Sequence, residues 1–181
     1  MNLDAVVDDL IRWEGFVSWL YLDTREHVTV GIGMLLRDVE AAFALPFTAS
    51  RGQQASHDEI RFDFERVAGM EPGLAARFYR APCSVELPTS TMRALAVERL
   101  NTVYLPGLRA LLLAFDSFPA GPQSALIDMS WNLGLGGLAK FGNLLHCCRD
   151  QDWEAAAVES HVYSSSAARN AWRATMFQGL S

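Results

Sequence analysis

The stretch LYLDTREHVTVGIG, residues 20–33, decides the fold, because two runs of strand-forming residues enclose a polar turn. In its second run, V-T-V-G-I-G at residues 28–33, large apolar residues alternate with threonine and glycine. A period of two is typical of a β-strand. The stretch therefore predicts a β-hairpin over residues 19–33 in a chain whose remaining pattern is helical.

Helical periodicity surrounds this hairpin on both sides. An apolar stripe predicts a first helix that ends at Gly15, and SHDE at 56–59 is a capping box that predicts a helix to about Ala68. Two further helices are predicted over 90–105 and 105–115. The almost continuously apolar segment 121–133 predicts a buried central helix. We expect an α+β, mostly α fold, with a small hairpin-bearing N-terminal lobe and a larger helical C-terminal lobe.

Composition excludes several classes of function. The formal net charge is −6 and no basic stripe stands out, which argues against nucleic-acid binding. The chain opens without a basic leader followed by an apolar run, and no stretch approaches the roughly 20 apolar residues of a membrane span. We therefore expect neither a signal peptide nor membrane insertion.

The three cysteines are too few, and odd in number, for a disulfide framework. They are Cys83, Cys147 and Cys148. Cys148 falls at helical spacing with Leu144 and Leu145, so we expect a small core residue there and no metal site.

Glu14 is the first candidate for chemistry. Its helix aims it along the apolar stripe, and its place at the helix C-terminus adds the negative end of the dipole. Both effects favour a protonated carboxyl, as a general acid requires. The alternative is a surface glutamate that precedes a helix-ending glycine.

Asp23 and Thr29 are the second and third candidates. Strand alternation sends Thr29 to the face opposite its two valine neighbours, where it shares an open face with Gly31 and Gly33 and leaves room for a ligand. The alternative for Asp23 is a turn-former that binds its own backbone. Two carboxyl groups on opposite sides of a sugar bond are what glycoside hydrolysis needs.

The motifs WEG, YLDT and VTVGIG followed by LL resemble the active-site segment of the phage-type lysozymes, or endolysins. The spacing is that of the family: nine residues separate Glu14 from Asp23, and six separate Asp23 from Thr29. The resemblance resumes in ALIDMSWNLGLGGLAKFGNLL, DWEAAAVE and ARNAWRATMF. It covers roughly residues 1–36 and 89–181.

The resemblance implies that Glu14 protonates the glycosidic oxygen, that Asp23 stabilises the developing positive charge, and that Thr29 holds the attacking water. The outcome is inversion, for which the carboxyl groups stand about 6.5–9.5 Å apart. The substrate is the peptidoglycan glycan strand, cut between N-acetylmuramic acid and N-acetylglucosamine. Acid–base chemistry with water suffices, so we expect no cofactor and no metal.

The resemblance also implies substrate contacts from the helical region. Trp131 and Asn132 align with an aromatic–amide pair beside the cleft, and Arg169 with an arginine that approaches the catalytic glutamate. Trp131 as a core residue and Arg169 as a surface charge are the alternatives. The predicted substrate-binding residues are Gly31, Gly33, Leu35, Trp131, Asn132, Phe141 and Arg169.

Two departures from the family concern the hairpin turn and the middle of the chain. Glu26 stands where the family commonly has glycine, so a positive φ there implies strain. Residues 36–88 are about twice as long as the counterpart in the T-even phage enzyme, and resemble lysozyme-like toxin domains of contact-dependent secretion systems. We expect one lysozyme-like domain over 1–181, comprising the active-site helix and hairpin (1–35), a variable segment (36–88) and a helical lobe (89–181).

Two biological settings stay open. An endolysin and a secreted antibacterial effector are both made in the cytoplasm without a signal peptide and act on periplasmic peptidoglycan, of the host or of a target cell. Both are expected to be monomers, and the effector brings a cognate immunity protein as partner. Two other functions also remain: a non-catalytic wall-binding module, and a lytic transglycosylase that needs Glu14 but no water on Thr29.

Overall fold

The structure is a computed structural model that describes residues 1–49 and 52–179, and it is mostly helical. In chain order the helices are α1 (Leu3–Glu14), α2 (Val39–Phe43), α3 (His57–Ala68), α4 (Thr89–Arg99), α5 (Leu105–Leu111), α6 (Ala120–Leu133), α7 (Leu135–Leu138), α8 (Gly142–Asp150), α9 (Trp153–Glu159) and α10 (Ala167–Gln178). Ser50 and Arg51 of the predicted segment 36–88, and the last two residues of the predicted helical lobe, lie outside the described residues.

The described residues form one three-stranded antiparallel sheet with the order β1 (Val17–Leu22), β2 (Val28–Gly31) and β3 (Met34–Leu35). Leu22 pairs with Val28 at the closed end of the first hairpin. The predicted hairpin and the predicted α+β, mostly α fold are both confirmed.

The chain divides into two compact units: residues 14–96, here the hairpin unit, and residues 1–13 with 97 onward, here the helical unit. This division differs from the subdivision at 35/36 and 88/89 that the sequence suggested. Residues 36–88 belong with the hairpin because both supply one hydrophobic core, to which Leu20 contributes from β1 and Phe47 and Val67 from the longer segment.

Local signals set the helix ends where the sequence predicted them. In α3 the Ser56 hydroxyl accepts from the Glu59 N–H while the Glu59 carboxylate accepts from the Ser56 N–H, which completes the capping box. α1 ends at Glu14, and Gly15 follows with φ +80°. Both predicted boundaries are confirmed.

In the helical unit, α6 is the buried helix that the sequence predicted. Leu126, Ile127 and Met129 have no exposed surface. Burial on several sides of α6 is expected for a helix whose sequence is apolar around most of its circumference.

The two helices predicted over 90–105 and 105–115 are joined by a π-helical stretch, Leu100–Tyr104, in which the Leu105 N–H donates to the Leu100 carbonyl. Pro106 explains the wider turn, because a proline lacks an N–H and its ring crowds the carbonyl four residues earlier. The second helix ends at Leu111 rather than at residue 115, and Phe115–Ser117 forms a 3-10 turn.

The hairpin turn contains a non-glycine residue in the left-handed region. Glu26 has φ +65°, so the condition under which the sequence analysis expects strain is met. A side chain with a Cβ is strained in this conformation, whereas glycine adopts it freely.

Replacing Glu26 with glycine therefore stabilises the protein. We expect Glu26→Gly to raise the free energy of unfolding by about 0.5–1 kcal/mol, because the relieved strain exceeds the added freedom of the unfolded chain. Urea unfolding followed by circular dichroism measures the change. Arg25→Gly is the matched control and lowers stability; equal losses in both variants refute strain at Glu26.

Candidate active site

The sheet register brings three side chains onto one face of the hairpin unit. Tyr21 on β1 pairs with Thr29 on β2, which pairs with Leu35 on β3. Directly opposed residues share a face of the sheet, so Tyr21, Thr29 and Leu35 form one row. Leu35, a predicted substrate contact, is 40 % exposed.

Asp23 closes the hairpin turn with one of its two carboxylate oxygens. Its Oδ1 accepts from the backbone N–H groups of Arg25 at 2.8 Å and His27 at 2.9 Å. Its Oδ2 lies 3.6 Å from the His27 Nδ1. The turn-former alternative is therefore confirmed, and the two oxygens of Asp23 have different surroundings.

Glu14 is exposed, so the predicted desolvation by the apolar stripe is wrong. It is the last residue of α1, and Gly15 with its positive φ turns the chain directly after it. The residue thus lies exposed at the C-terminal end of α1.

The pKa of Tyr21 responds to the charges of both carboxylates. Burial raises the pKa of Tyr21 from 10.0 to about 12, with smaller contributions from the negative charges of Asp23 and then Glu14. The negative charges of both acids therefore make the Tyr21 phenol harder to deprotonate. The sequence prediction missed Tyr21, although its place in YLDT and its alternation with Leu20 and Leu22 were the available signals.

The sequence analysis expects an open face at Thr29, Gly31 and Gly33. This prediction is wrong at Thr29 and at Gly31, which are both buried. Thr29 is 2 % exposed, and its Oγ1 donates to the His27 carbonyl at 3.0 Å. Gly31 is buried, and a Cβ built there meets the Met92 Sδ at 3.2 Å. Met92 of α4 fills the space that the missing side chain leaves. The predicted room exists at Gly33, which is exposed and has no atom within 4 Å of a built Cβ.

Arg169, in the helical unit, is held by a buried carboxylate. Its Nε and Nη2 donate to Asp128, the shortest distance being 2.6 Å to Oδ1, and the Arg173 Nε donates to Asp128 Oδ2 at 2.6 Å. Arg169 is 6 % exposed, so the surface-charge alternative is wrong. The sequence prediction missed the partners Asp128 and Arg173. The only available indication of them in the sequence was their spacing along helical segments.

Trp131 and Asn132, also in the helical unit, make further contacts there. The Trp131 ring lies 5.0 Å from that of Tyr104, and the Arg99 guanidinium lies 5.7 Å from the Trp131 ring. The Asn132 Oδ1 accepts from the Ser165 hydroxyl at 3.1 Å. Trp131 is half-buried and Asn132 is exposed.

Phe141 lines a cavity of about 580 Å³ in the helical unit. His161 and Tyr163 also line this cavity, and their rings meet edge to face at 5.1 Å. Tyr163 is 97 % exposed. An exposed ring beside a cavity suits contact with an amphipathic ligand.

Cys148 is confirmed as a core residue, because it is buried in α8 and burial raises the pKa of its thiol to about 12. Within residues 1–49 and 52–179, no three histidine, cysteine, aspartate or glutamate side chains form a group that holds a metal ion. In the same residues no helix has the length and apolar character needed to cross a membrane.

The structure thus brings together the predicted Glu14, Asp23 and Thr29 in the hairpin unit, with Leu35 in the same row as Thr29 and Gly31 and Gly33 in the same hairpin. The other predicted residues, Trp131, Asn132, Phe141 and Arg169, belong to the helical unit. No family model matches the chain, and a search of curated proteins finds no match. Membership of the phage-type lysozymes stays a prediction from the sequence.

Removing the buried carboxylate of Asp128 destabilises the protein strongly. We expect Asp128→Ala to lower the free energy of unfolding by about 3–5 kcal/mol, because two buried guanidinium groups lose the same carboxylate. Asp116→Ala, which breaks an exposed pair with Arg109, is the control and changes stability little. Urea unfolding measures both; equal effects contradict the role given to Asp128.

The carboxylates beside Tyr21 are tested by alkaline titration of the phenol. We expect a tyrosinate absorbance step near pH 12 that Tyr21→Phe removes and that Asp23→Asn shifts downward more than Glu14→Gln. Because the folded state holds this proton more tightly than the unfolded chain, its contribution to stability is lost as the pH rises from 10 through 12. Tyr163→Phe is the control and leaves that step in place. A step that neither acid variant shifts refutes the arrangement.

Proposed function

We propose that this chain is a peptidoglycan hydrolase, a muramidase that cleaves the β-1,4 bond between N-acetylmuramic acid and N-acetylglucosamine. One observation carries the proposal: Glu14, Asp23 and Thr29 lie in one compact unit, where Thr29 pairs with Tyr21 and the charges of both acids help to raise the pKa of Tyr21. Two carboxyl groups and a hydroxyl are the groups that acid–base cleavage of a glycosidic bond uses.

Glu14 is the proposed general acid. It is exposed at the end of α1, where its carboxyl reaches a bound glycan and recovers a proton from bulk water after each turnover. It donates that proton to the glycosidic oxygen as the bond breaks.

Asp23 and Thr29 are proposed to place the attacking water. The single hydroxyl hydrogen of Thr29 is donated to the His27 carbonyl, so Thr29 Oγ1 offers only lone pairs to a water. A water that donates one hydrogen to Thr29 Oγ1 and the other to Asp23 Oδ2 keeps its own lone pairs for the anomeric carbon. Attack from that side gives the inverted product, and Asp23 Oδ2 takes up the proton that the water loses as it forms its bond to the anomeric carbon.

The turn keeps the Asp23 carboxylate in one orientation. Two backbone N–H groups bind the same carboxylate oxygen, so rotation of the carboxylate away from this plane loses both hydrogen bonds. The negative charge near the anomeric carbon then stabilises the positive charge that develops there.

A lytic transglycosylase is the second candidate, and the burial of Thr29 favours it. A residue that is 2 % exposed and bonded to the His27 carbonyl also fits a purely structural role. Such an enzyme needs the acid Glu14 but forms an anhydro product without an attacking water.

The product identifies the reaction. Purified wild type and Glu14→Gln are incubated with isolated peptidoglycan, and the released fragments are identified by mass spectrometry. We expect reducing N-acetylmuramic acid ends from the wild type and a rate about 10²–10⁴-fold lower in Glu14→Gln, since the variant lacks the proton. Glu40→Gln, an exposed glutamate in α2, is the matched control and keeps full activity.

Thr29 variants separate the two enzymatic candidates. Thr29→Ser retains the hydroxyl and is expected to keep most of the activity. Thr29→Val lacks the hydroxyl and loses the activity if the reaction is hydrolysis by a bound water. Anhydro-muramic products that persist in Thr29→Val establish the transglycosylase. Binding without cleavage, equal in wild type and Glu14→Gln, means a wall-binding module.

A further inference from the structure

The segment 36–88 carries a cavity of about 670 Å³ that contains no predicted site residue. Its volume falls in the range of small-ligand pockets. The polar residues that line it are Thr48, Arg77, Arg80, Ser84 and Glu86.

The floor of this cavity is fixed by backbone hydrogen bonds. The N–H of Thr48 donates to the Glu86 carbonyl and the N–H of Glu86 donates to the Thr48 carbonyl, both at 2.8 Å. Glu86 also forms a bridge with Trp19 on β1. The cavity therefore rests on a strand-like extension of the sheet.

A buried ion pair orders the loop that forms the wall. Asp63 has no exposed surface, and its Oδ1 accepts from the Arg66 Nη2 at 2.6 Å. The same Nη2 donates to the Tyr79 carbonyl at 2.6 Å and to the Ser84 hydroxyl at 3.1 Å. These bonds hold the segment 79–84 in one conformation and preorganise the charged side chains beside it.

The cavity is locally positive in a chain of net charge −6. Arg80 lies over the Trp19 ring at 4.7 Å and donates through Nε and Nη2 to the Glu86 Oε1. Arg77 lies over the Phe78 ring at 4.5 Å, and the described part of the chain offers it no ion pair. Among the described residues that line the cavity, two guanidinium groups accompany one carboxylate, so one positive charge is in excess.

We propose that this cavity binds a carboxylate of a short acidic peptide, with Arg77 as the principal contact. A guanidinium matches a carboxylate through two parallel hydrogen bonds. Ala81 and Pro82 supply small apolar surface for neighbouring side chains, and Ser84 supplies a hydroxyl. The carboxylate of Glu86 disfavours a phosphate group, which carries nearly two negative charges.

The inference rests on the proposed function for its ligand, because the peptide stems of peptidoglycan carry carboxylates. Binding to a stem beside the glycan strand fixes the position of the strand on the hairpin unit. The site selects for the peptide and takes no part in breaking the sugar bond.

Binding is measured by isothermal titration calorimetry with the free peptide L-alanyl-γ-D-glutamyl-meso-diaminopimelate, which contains no sugar. We expect Arg77→Gln to weaken binding about tenfold or more, since a charge-assisted hydrogen bond is lost, and Arg77→Glu to abolish it. Arg61→Gln is the matched control, because Arg61 also lies over a ring, that of Phe43 at 5.1 Å, without lining the cavity. The same peptide with its carboxylates amidated does not bind.

Three results overturn the proposal: no binding of the peptide to the wild type, equal binding to wild type and Arg77→Gln, and equal affinity for inorganic phosphate. Circular dichroism confirms that each variant is folded. The peptide contains no glycosidic bond, so its binding is measured independently of hydrolysis. Peptide binding without cleavage of peptidoglycan contradicts the proposed function alone, and cleavage without peptide binding contradicts this inference alone.

Discussion

The candidate site depends on one constraint, the pair of backbone hydrogen bonds that Asp23 Oδ1 accepts from Arg25 and His27. Together with the Asp23 N–H, which donates to the His27 carbonyl at 3.0 Å, they close the turn and set the register of the sheet. That register places Tyr21 opposite Thr29. A one-residue slip exchanges the two faces of the hairpin, so the turn decides which side chains meet. The strain at Glu26 is the cost of closing the turn this way.

Each unit also contains a buried charge cluster that holds distant segments together. Asp63 accepts a hydrogen bond from Arg66 with Oδ1 and one from the N–H of Val85 with Oδ2. Asp128 joins α6 to α10 through Arg169 and Arg173. Buried ion pairs contribute little net stability against apolar residues, but each requires one geometry to satisfy its hydrogen bonds. Their contribution here is to specify loop and helix positions.

The elements that the sequence predicted are those with local causes. The hairpin follows from alternation, α3 from the Ser56 capping box, and α6 from its unbroken apolar run. The π-helical stretch before Pro106 and the burial of Thr29 were missed. The first depends on how a helix accommodates a proline within it. The burial of Gly31 beside Thr29 depends on Met92, a residue far along the chain that no hairpin pattern reveals.

The residues of the candidate site come from the sequence prediction, and the structure shows surroundings for them that differ from those expected. The spacing of Glu14, Asp23 and Thr29 was readable because a turn and two short elements fix it. The exposure of Glu14 depends on its tertiary surroundings at the end of α1. The raised pKa of Tyr21 depends on burial and on the charges of both carboxylates. These are tertiary properties, which periodicity does not encode.

The segment 36–88 is structural support for the hairpin rather than an appended cover. Phe47, Val67 and Leu87 lie in the same core as the inward side of β1 and β2, and Leu87 donates its N–H to the Ser18 carbonyl at 2.7 Å. A chain with this segment shortened therefore loses the surface on which the hairpin packs. The cavity lined by Arg77 and the row formed by Tyr21, Thr29 and Leu35 both connect to β1. Glu86 of the cavity forms a bridge with Trp19 on β1, and Tyr21 on β1 pairs with Thr29. One compact unit thus carries both the acids proposed to cut the glycan and the guanidinium proposed to hold its peptide.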